Sequence, residues 1–154
     1  MYRVREIETW DDVVEFSTLG GIMHEESDYQ DIKLSFPAIS EFAVQVISQP
    51  ERSVFNAWGV WKADALVGMM AGVCHPMFFT RSRVAEDVVL YVTPSSRGSR
   101  AALLLMDAFE KWALSYDAKH IRINLSTGVN SVSAEKFLNK LGYNTVGAVV
   151  RKIP

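Results

Sequence analysis

Apolar residues recur along this chain with two different periods, and the alternation between them predicts its elements. Residues 2–7 alternate, with Tyr2, Val4 and Ile7 set among charges, and predict a short strand. Thr9 then offers an N-cap, with Asp12 three positions on in the manner of a capping box. Trp10, Val13, Val14 and Phe16 supply the buried stripe of that first helix, and Gly20-Gly21 is expected to stop it. Met23-His24-Glu25-Glu26-Ser27-Asp28-Tyr29 follows as a polar, mobile stretch. Ser35 and Pro37 open a second helix, whose Ile39, Phe42, Ala43, Val46 and Ile47 fall at i, i+3, i+4, i+7 and i+8 before Pro50 closes it.

The period then changes to that of strands. Val54 to Trp61 is one, Lys62-Ala63-Asp64 a turn, and Leu66 to Val73 or beyond the antiparallel partner. Arg81-Ser82-Arg83 turns the chain into a third strand, Val84 to Val92, which Thr93-Pro94-Ser95-Ser96 breaks. A long helix from about Ser99 to Tyr116 keeps Arg100, Asp107, Glu110 and Lys111 on roughly one side, so the sheet must cover the rest. His120 to Leu125 is another strand. Val132 to Leu141 is a last helix, with Ala134, Phe137, Leu138 and Leu141 on one face and Gly142 as its cap. Tyr143 to Ile153 gives a final strand. The order β-α-α-β-β-β-α-β-α-β predicts an α/β (α+β) fold, a sheet with helices on its faces.

Composition narrows the class. Residues 1–154 suit a single domain, and 49% apolar against 22% charged residues can bury a sizeable core, which removes disordered and low-complexity readings. A formal charge of −2 gives no reason to expect nucleic acid or an anionic membrane as partner. The charged start, Met1-Tyr2-Arg3-Val4-Arg5-Glu6, lacks the apolar run of a signal peptide, and the richest apolar run, Ala65 to Phe79, is interrupted by Gly68, Gly72, His75 and Pro76. One cysteine, Cys74, excludes an internal disulfide and suits a reducing compartment, so a cytoplasmic protein is expected.

The informative stretch for chemistry is Leu90-Tyr91-Val92-Thr93-Pro94-Ser95-Ser96-Arg97-Gly98-Ser99-Arg100-Ala101-Ala102. A buried strand ends, a Gly/Ser/Arg loop follows, and a long helix begins. Free N–H groups at a helix start and the positive end of its dipole make an anion site. The small side chains of Gly98, Ser99, Ala101 and Ala102 let a phosphate approach, and Arg97 and Arg100 add charge-assisted donors. The loop lacks the Lys-Ser/Thr ending of a Walker A loop and the glycine spacing of a Rossmann fingerprint. The competing reading is an ordinary strand-to-helix turn.

This loop resembles that of the GNAT family of N-acetyltransferases, in which Arg/Gln-x-x-Gly-x-Gly/Ala surrounds the pyrophosphate of acetyl-CoA. Glu86-Asp87-Val88-Val89-Leu90-Tyr91-Val92 ahead of it belongs to the same likeness. Behind it, Phe137-Leu138-Asn139-Lys140-Leu141-Gly142-Tyr143 is similar to the Phe-Tyr-Glu-Lys-Leu-Gly-Phe element of that family. The Met23-His24-Glu25-Glu26 segment and the Arg-Gly-x-Arg-Ala-Ala variant look most like small acetyltransferases of bacteriophages and their hosts. The resemblance implies a mostly antiparallel mixed sheet and acetyl-CoA as co-substrate, with an amine on a small molecule or a protein as acceptor. It implies cofactor contacts from Leu90, Tyr91, Val92, Arg97, Gly98, Ser99, Arg100, Ala101, Ala102 and Asn130, although the family frame falls on Ser131, one residue later than Asn130. It also puts His24, Glu25 and Glu26 on the acceptor side, where a plain solvated loop is the other reading. Homodimers are common among such folds, which adds a second copy as a candidate partner.

Two positions depart from the family pattern. Arg100 stands where the loop usually has glycine, and Leu138 where many members carry the tyrosine that protonates the departing thiolate. Leucine donates no proton, so another group must act, or the thiolate leaves unaided, as a thiol pKa near ~8.5 allows. A rival reading follows from these departures: a protein of this fold that binds CoA or a protein partner without effective catalysis. A generic nucleotide-binding domain is a third, and it predicts that ATP competes with acetyl-CoA.

Direct acetyl transfer in a ternary complex needs a neutral amine, and a free lysine with pKa near ~10.4 is handicapped by roughly 4–5 kcal/mol at pH 7. A carboxylate can take the proton. Glu86 lies eleven residues before Arg97, the spacing of the family glutamate, and is the expected base; Asp87 is the second candidate. Strand alternation groups Glu86 with Val88 and Leu90, and Asp87 with Val89 and Tyr91. The bland reading leaves both carboxylates at a solvated strand end. No metal is expected, because His24-Glu25-Glu26-Ser27-Asp28 lacks the second histidine of a zinc-protease helix. Cys74 and His75 adjoin on a strand and point to opposite faces, so Cys74 is read as buried and structural. Trp58, Trp61, Phe78 and Phe79 are expected mostly in the core, with one or two of them at the acceptor mouth as the other reading, and Arg81 and Arg83 as turn charges.

Overall fold

The computed structural model describes residues 1–154, beginning with the strand expected from the alternation: β1, Tyr2–Glu6. The chain continues through α1 (Trp10–Glu26), α2 (Phe36–Ile47), β2 (Phe55–Lys62), β3 (Ala65–Pro76) and β4 (Arg83–Val92). A 3-10 turn over Pro94–Ser96 leads to α3 (Ala101–Ser115), β5 (Ala118–Arg122) and α4 (Ser131–Lys140). The sheet is ordered β1-β2-β3-β4-β5. Its first four strands pair antiparallel, while β5 lies parallel to β4 after the crossover helix α3 that such pairing requires.

The period of two along β2 and β3 sends successive residues into different cores. Trp58, Met70, Cys74 and Ala85 meet Leu105, Phe109 and Trp112 of α3 and Leu138 of α4. Ala57, Met69, Ala71 and Tyr91 meet Val13, Phe16 and Leu19 of α1 and Ala43 and Val46 of α2. Both faces are covered, which is why these strands are apolar throughout. Trp58, Phe109 and Trp112 pack with ring centroids 5.4 to 6.0 Å apart. Gly72 makes that packing feasible, since a Cβ there would stand 2.3 Å from the Phe109 ring.

The start of α1 is as expected, with both halves of the capping box between Thr9 and Asp12 present. Arg5 reaches from β1 to the same carboxylate at 2.7 and 2.8 Å, and this contact above all holds Asp12 well below the usual carboxylate range. The end of α1 differs from the expectation. Gly20-Gly21 does not stop the helix; a Cβ at Gly20 would lie 2.9 Å from Ile39, and one at Gly21 3.0 Å from Phe36. The pair is therefore the surface on which α2 approaches, and Met23 to Glu26 are helical rather than loop. Trp10 and Val14, one turn apart, point to solvent, and the buried stripe is Val13, Phe16 and Leu19.

Three further expectations are corrected. Trp58 and Trp61 are in the core, but Phe78 and Phe79 are exposed, edge to face at 5.3 Å, on the β3–β4 hairpin beyond the reach of the helices. Arg83 is more than a turn charge, since it donates to the carbonyls of Cys74 (2.9 Å) and Ser53. The final strand from Tyr143 to Ile153 does not form: the backbone from Asn144 to Pro154 makes no main-chain hydrogen bond, and Val146, Val149, Val150 and Ile153 are exposed. An apolar pattern alone makes no strand without a neighbour for its ladder. No helix is long and apolar enough to cross a membrane.

Candidate active site

β4 and β5 stay together only briefly. Their pairing joins Arg83–Glu86 to Ala118–Arg122 and stops, although β4 continues to Val92. Beyond that point a cavity of about 620 Å³ opens between the diverging strands. Asp87 to Val92 form one wall and Ile123 to Thr127 the other. Ser96 to Ser99 and Ala102 close one end. Asn130, Ser131, Ser133, Ala134 and Phe137 of α4 and its cap, with Met23, Val129 and Val149, complete the lining. The register of β4 on β3 shifts at the same place: Gly72 faces Asp87 and Ala71 faces Val89, leaving Val88 as the extra residue of a bulge. A bulge bends and twists its strand, which suits the departure of β4 from β5.

The two adjacent carboxylates part company at this fork. Glu86, the expected base, does not line the cavity. Its Oε1 accepts from Arg122 Nε at 2.9 Å, and its Oε2 contacts His75 Nε2 at 2.8 Å. Burial works to raise its pKa, but the bonds from His75 and Arg122 outweigh burial and hold it below the usual range. Glu86 in turn raises the pKa of His75. A carboxylate so neutralised is a poor proton acceptor. Asp87 does line the cavity. Its Oδ1 accepts from the backbone N–H and the side-chain amide of Asn124 at 2.7 and 3.1 Å, in place of the lost ladder partner. Burial pushes its pKa up, with the charge of Glu86 adding to the effect and the Asn124 bonds opposing it.

At the other end, Gly98 adopts φ +74 with open space where a Cβ would be, a conformation that side chains resist. Ser99 Oγ donates to the Ser96 carbonyl at 2.6 Å and accepts from Ala101 N–H at 3.2 Å. The N–H groups of Ala102 and Leu103 in the first turn of α3 have no partner. This is the donor set an anion requires at a helix start.

Leu90, Tyr91, Val92, Arg97, Gly98, Ser99, Ala102 and Asn130 all line the cavity, as does Ser131. Arg100 and Ala101 do not: Arg100 is exposed ahead of α3, and the side chain of Ala101 is buried in the core. Asn130 precedes α4 with φ 53, and its side chain makes no capping bond. Of the residues expected on the acceptor side, Glu25 is exposed and His24 bonds the Ile32 carbonyl at 2.7 Å; neither lines the cavity. Glu26 is tied to Arg97 and Tyr91. Leu138 faces the core, and the only tyrosine of the lining, Tyr91, gives its hydroxyl to Glu26. Burial and that bond push the Tyr91 phenol up to about 12. No group of His, Cys, Asp and Glu side chains gathers in a metal-binding arrangement.

A family model described as the acetyltransferase (GNAT) family matches residues 10–143. The chain belongs to the GNAT acetyltransferases. No curated protein matches it significantly. Its fold is that of solved acetyltransferases. One is an aminoglycoside acetyltransferase, HMB0005, from an uncultured soil metagenomic sample. It is 15% identical with a TM-score of 0.72, over 100% of this chain and 98% of that one. Another is the ribosomal-protein-alanine N-acetyltransferase of Brucella melitensis biovar Abortus 2308, at 16% identity and TM-score 0.69 over 99% of each chain. A third is the aminoglycoside N-acetyltransferase AAC(6')-Iy in complex with CoA, at 13% identity and TM-score 0.78 over 100% and 95% of the two chains.

Within this GNAT fold, sequence reasoning missed Met23, Asn124, Ser126, Thr127, Phe137 and Val149 as lining residues. Asn124 had a signal, an amide side chain just past the end of a short strand. Met23 and Val149 had none, since only the tertiary fold brings them to the fork.

Proposed function

We propose that this protein transfers an acetyl group from acetyl-CoA to a primary amine directly, in a ternary complex, with Asp87 as general base. The observation that carries the assignment is the position of Asp87: it is the one carboxylate of the cavity lining, at the fork, with its pKa raised. A base whose pKa lies closer to neutrality takes a proton more effectively than one pulled down by two cations. Glu86 holds the fork closed on its paired side, through Arg122, and takes no proton from the substrate.

The chemistry follows from the lining. The acceptor arrives as an ammonium ion and gives a proton to Asp87. The free nitrogen attacks the thioester carbonyl carbon, the C–N bond forms and the C–S bond breaks, and the second proton of the nitrogen passes to the departing thiolate, leaving the amide and CoA as its thiol. The electron pair leaves on sulfur, a good leaving group because a thiol pKa is near ~8.5. The edge of β4 from Asp87 to Tyr91 has no β5 partner, so the N–H and C=O groups on that edge are available to an extended arm and to the thioester oxygen. The N–H groups of Ala102 and Leu103 and the open Gly98 suit the pyrophosphate. The test is release of free CoA from acetyl-CoA with a panel of aminoglycosides, polyamines and peptides bearing a free N-terminus. Amine-dependent release supports the reading. Binding of acetyl-CoA with no release for any amine favours the non-catalytic rival.

A further inference from the structure

Arg97 is the one side chain of the cavity lining with a permanent positive charge, and that charge is already engaged. Its Nη2 donates to both oxygens of Glu26, at 3.0 and 2.8 Å, and its Nε donates to the Val92 carbonyl at 3.0 Å. Glu26 also takes the hydroxyl of Tyr91, and the guanidinium lies over the Tyr91 ring, 5.5 Å from its centroid. The cluster joins the last turn of α1, the end of β4 and the loop before α3. The side chains of Arg97 and Glu26 are 27% and 30% exposed, so water only partly screens the pair. Burial would raise the pKa of Glu26, but the bonds from Tyr91 and Arg97 prevail and keep it ionised.

We infer that Glu26 is an affinity-setting residue for the phosphate end of acetyl-CoA, holding Arg97 against the incoming anion. The inference rests on the reading of the cavity as the acetyl-CoA site. An arginine that serves a phosphate must either turn away from Glu26 or hold the phosphate beside the Glu26 carboxylate. In both cases a like charge opposes binding. In the free protein the same contact joins α1 to the phosphate loop and neutralises a cation that would otherwise stand alone. Glu26 therefore exchanges ligand affinity for order in the empty loop.

The experiment compares acetyl-CoA with S-acetylpantetheine, which has the thioester arm and no phosphate, on wild type and Glu26→Gln. Glutamine keeps the size and an acceptor oxygen for Tyr91 and Arg97 but removes the charge. By calorimetry, acetyl-CoA should bind the variant about two- to fivefold more tightly, the range expected for a partly exposed ion pair, while S-acetylpantetheine binds both proteins alike. Unchanged or weaker binding of acetyl-CoA to the variant would overturn the inference, since Glu26 would then be neutral or would present Arg97 to the phosphate. An equal change for both ligands would also overturn it, because the effect would lie in the shape of the cavity. Wild type that binds neither ligand overturns the acetyl-CoA reading of the cavity itself. A melting temperature for each protein separates these results from misfolding.

Discussion

From Arg83 to Glu86, β4 is bonded on both edges, to β3 and to β5; from Asp87 to Val92 it is bonded to β3 alone. The first stretch ends on a carboxylate held by Arg122 and His75, and the second begins on one held only by Asn124. Two acidic residues adjacent in sequence thus have their pKa values moved in opposite directions. Their chemistry is alike and their surroundings are not. Where β4 keeps its neighbour, the acid is bonded across the sheet; where it loses the neighbour, the acid lines the cavity.

The largest effect should come from the open side of the fork. Asp87→Asn keeps an oxygen to accept the Asn124 bonds, so the fold and acetyl-CoA affinity should survive. The transfer rate should fall by about 100-fold or more, the contribution expected of a general base. In wild type, kcat/KM should rise with pH along a limb set above the ordinary aspartate value, because burial raises the Asp87 pKa and only the ionised form takes a proton. The variant should lack that limb. A pH–rate profile of both proteins checks this.

A second, smaller effect lies under α4. Family likeness alone would suggest Leu138→Tyr as a gain of a proton donor. The side chain is 5% exposed and packs with Leu105 and its neighbours, so the larger residue should destabilise the protein by about 1–3 kcal/mol without raising the rate. Denaturant unfolding and the transfer assay measure the two parts.

The smallest effect belongs to the closed side. Glu86→Gln should cost about 1 kcal/mol of stability and change transfer less than tenfold. Its pH dependence has a definite sign. The folded pKa of Glu86 lies below its unfolded value near 4.5, so its contribution is present above that value and disappears as pH falls through the folded pKa. His75 acts oppositely: its folded pKa lies above 6.5, and its share disappears as pH rises through it. The stability difference between wild type and Glu86→Gln should therefore be greatest between these limits and shrink in acid, as thermal melts at several pH values would reveal.

Much of the fork was legible in sequence, and the reason differs from part to part. The loop from Arg97 to Ala102 was readable because its requirements are local: small residues, a glycine with positive φ at Gly98, and a helix start. Strand alternation could not decide between Glu86 and Asp87, because the bulge at Val88 interrupts the period of two and depends on the register with β3. Gly20-Gly21 looked like a helix end because the sequence does not contain the nearness of Ile39 and Phe36. The apolar run after Tyr143 looked like a strand, yet pairing belongs to two segments and cannot be read from one. Glu26 was expected to meet an amine; its bond to Arg97 joins residues far apart in the chain, which local patterns do not record.

The central claim is that the gap between β4 and β5 holds acetyl-CoA, and the most direct test blocks that gap. Ala102 lines it in the first turn of α3, half-buried between the cavity and the core, so a larger side chain there takes up cavity space. Calorimetric titration of wild type should give selective binding of acetyl-CoA over ATP, and Ala102→Trp should weaken it at least tenfold in a protein that still unfolds cooperatively above the titration temperature. Equal binding by the two proteins, or no binding by wild type, would contradict the account.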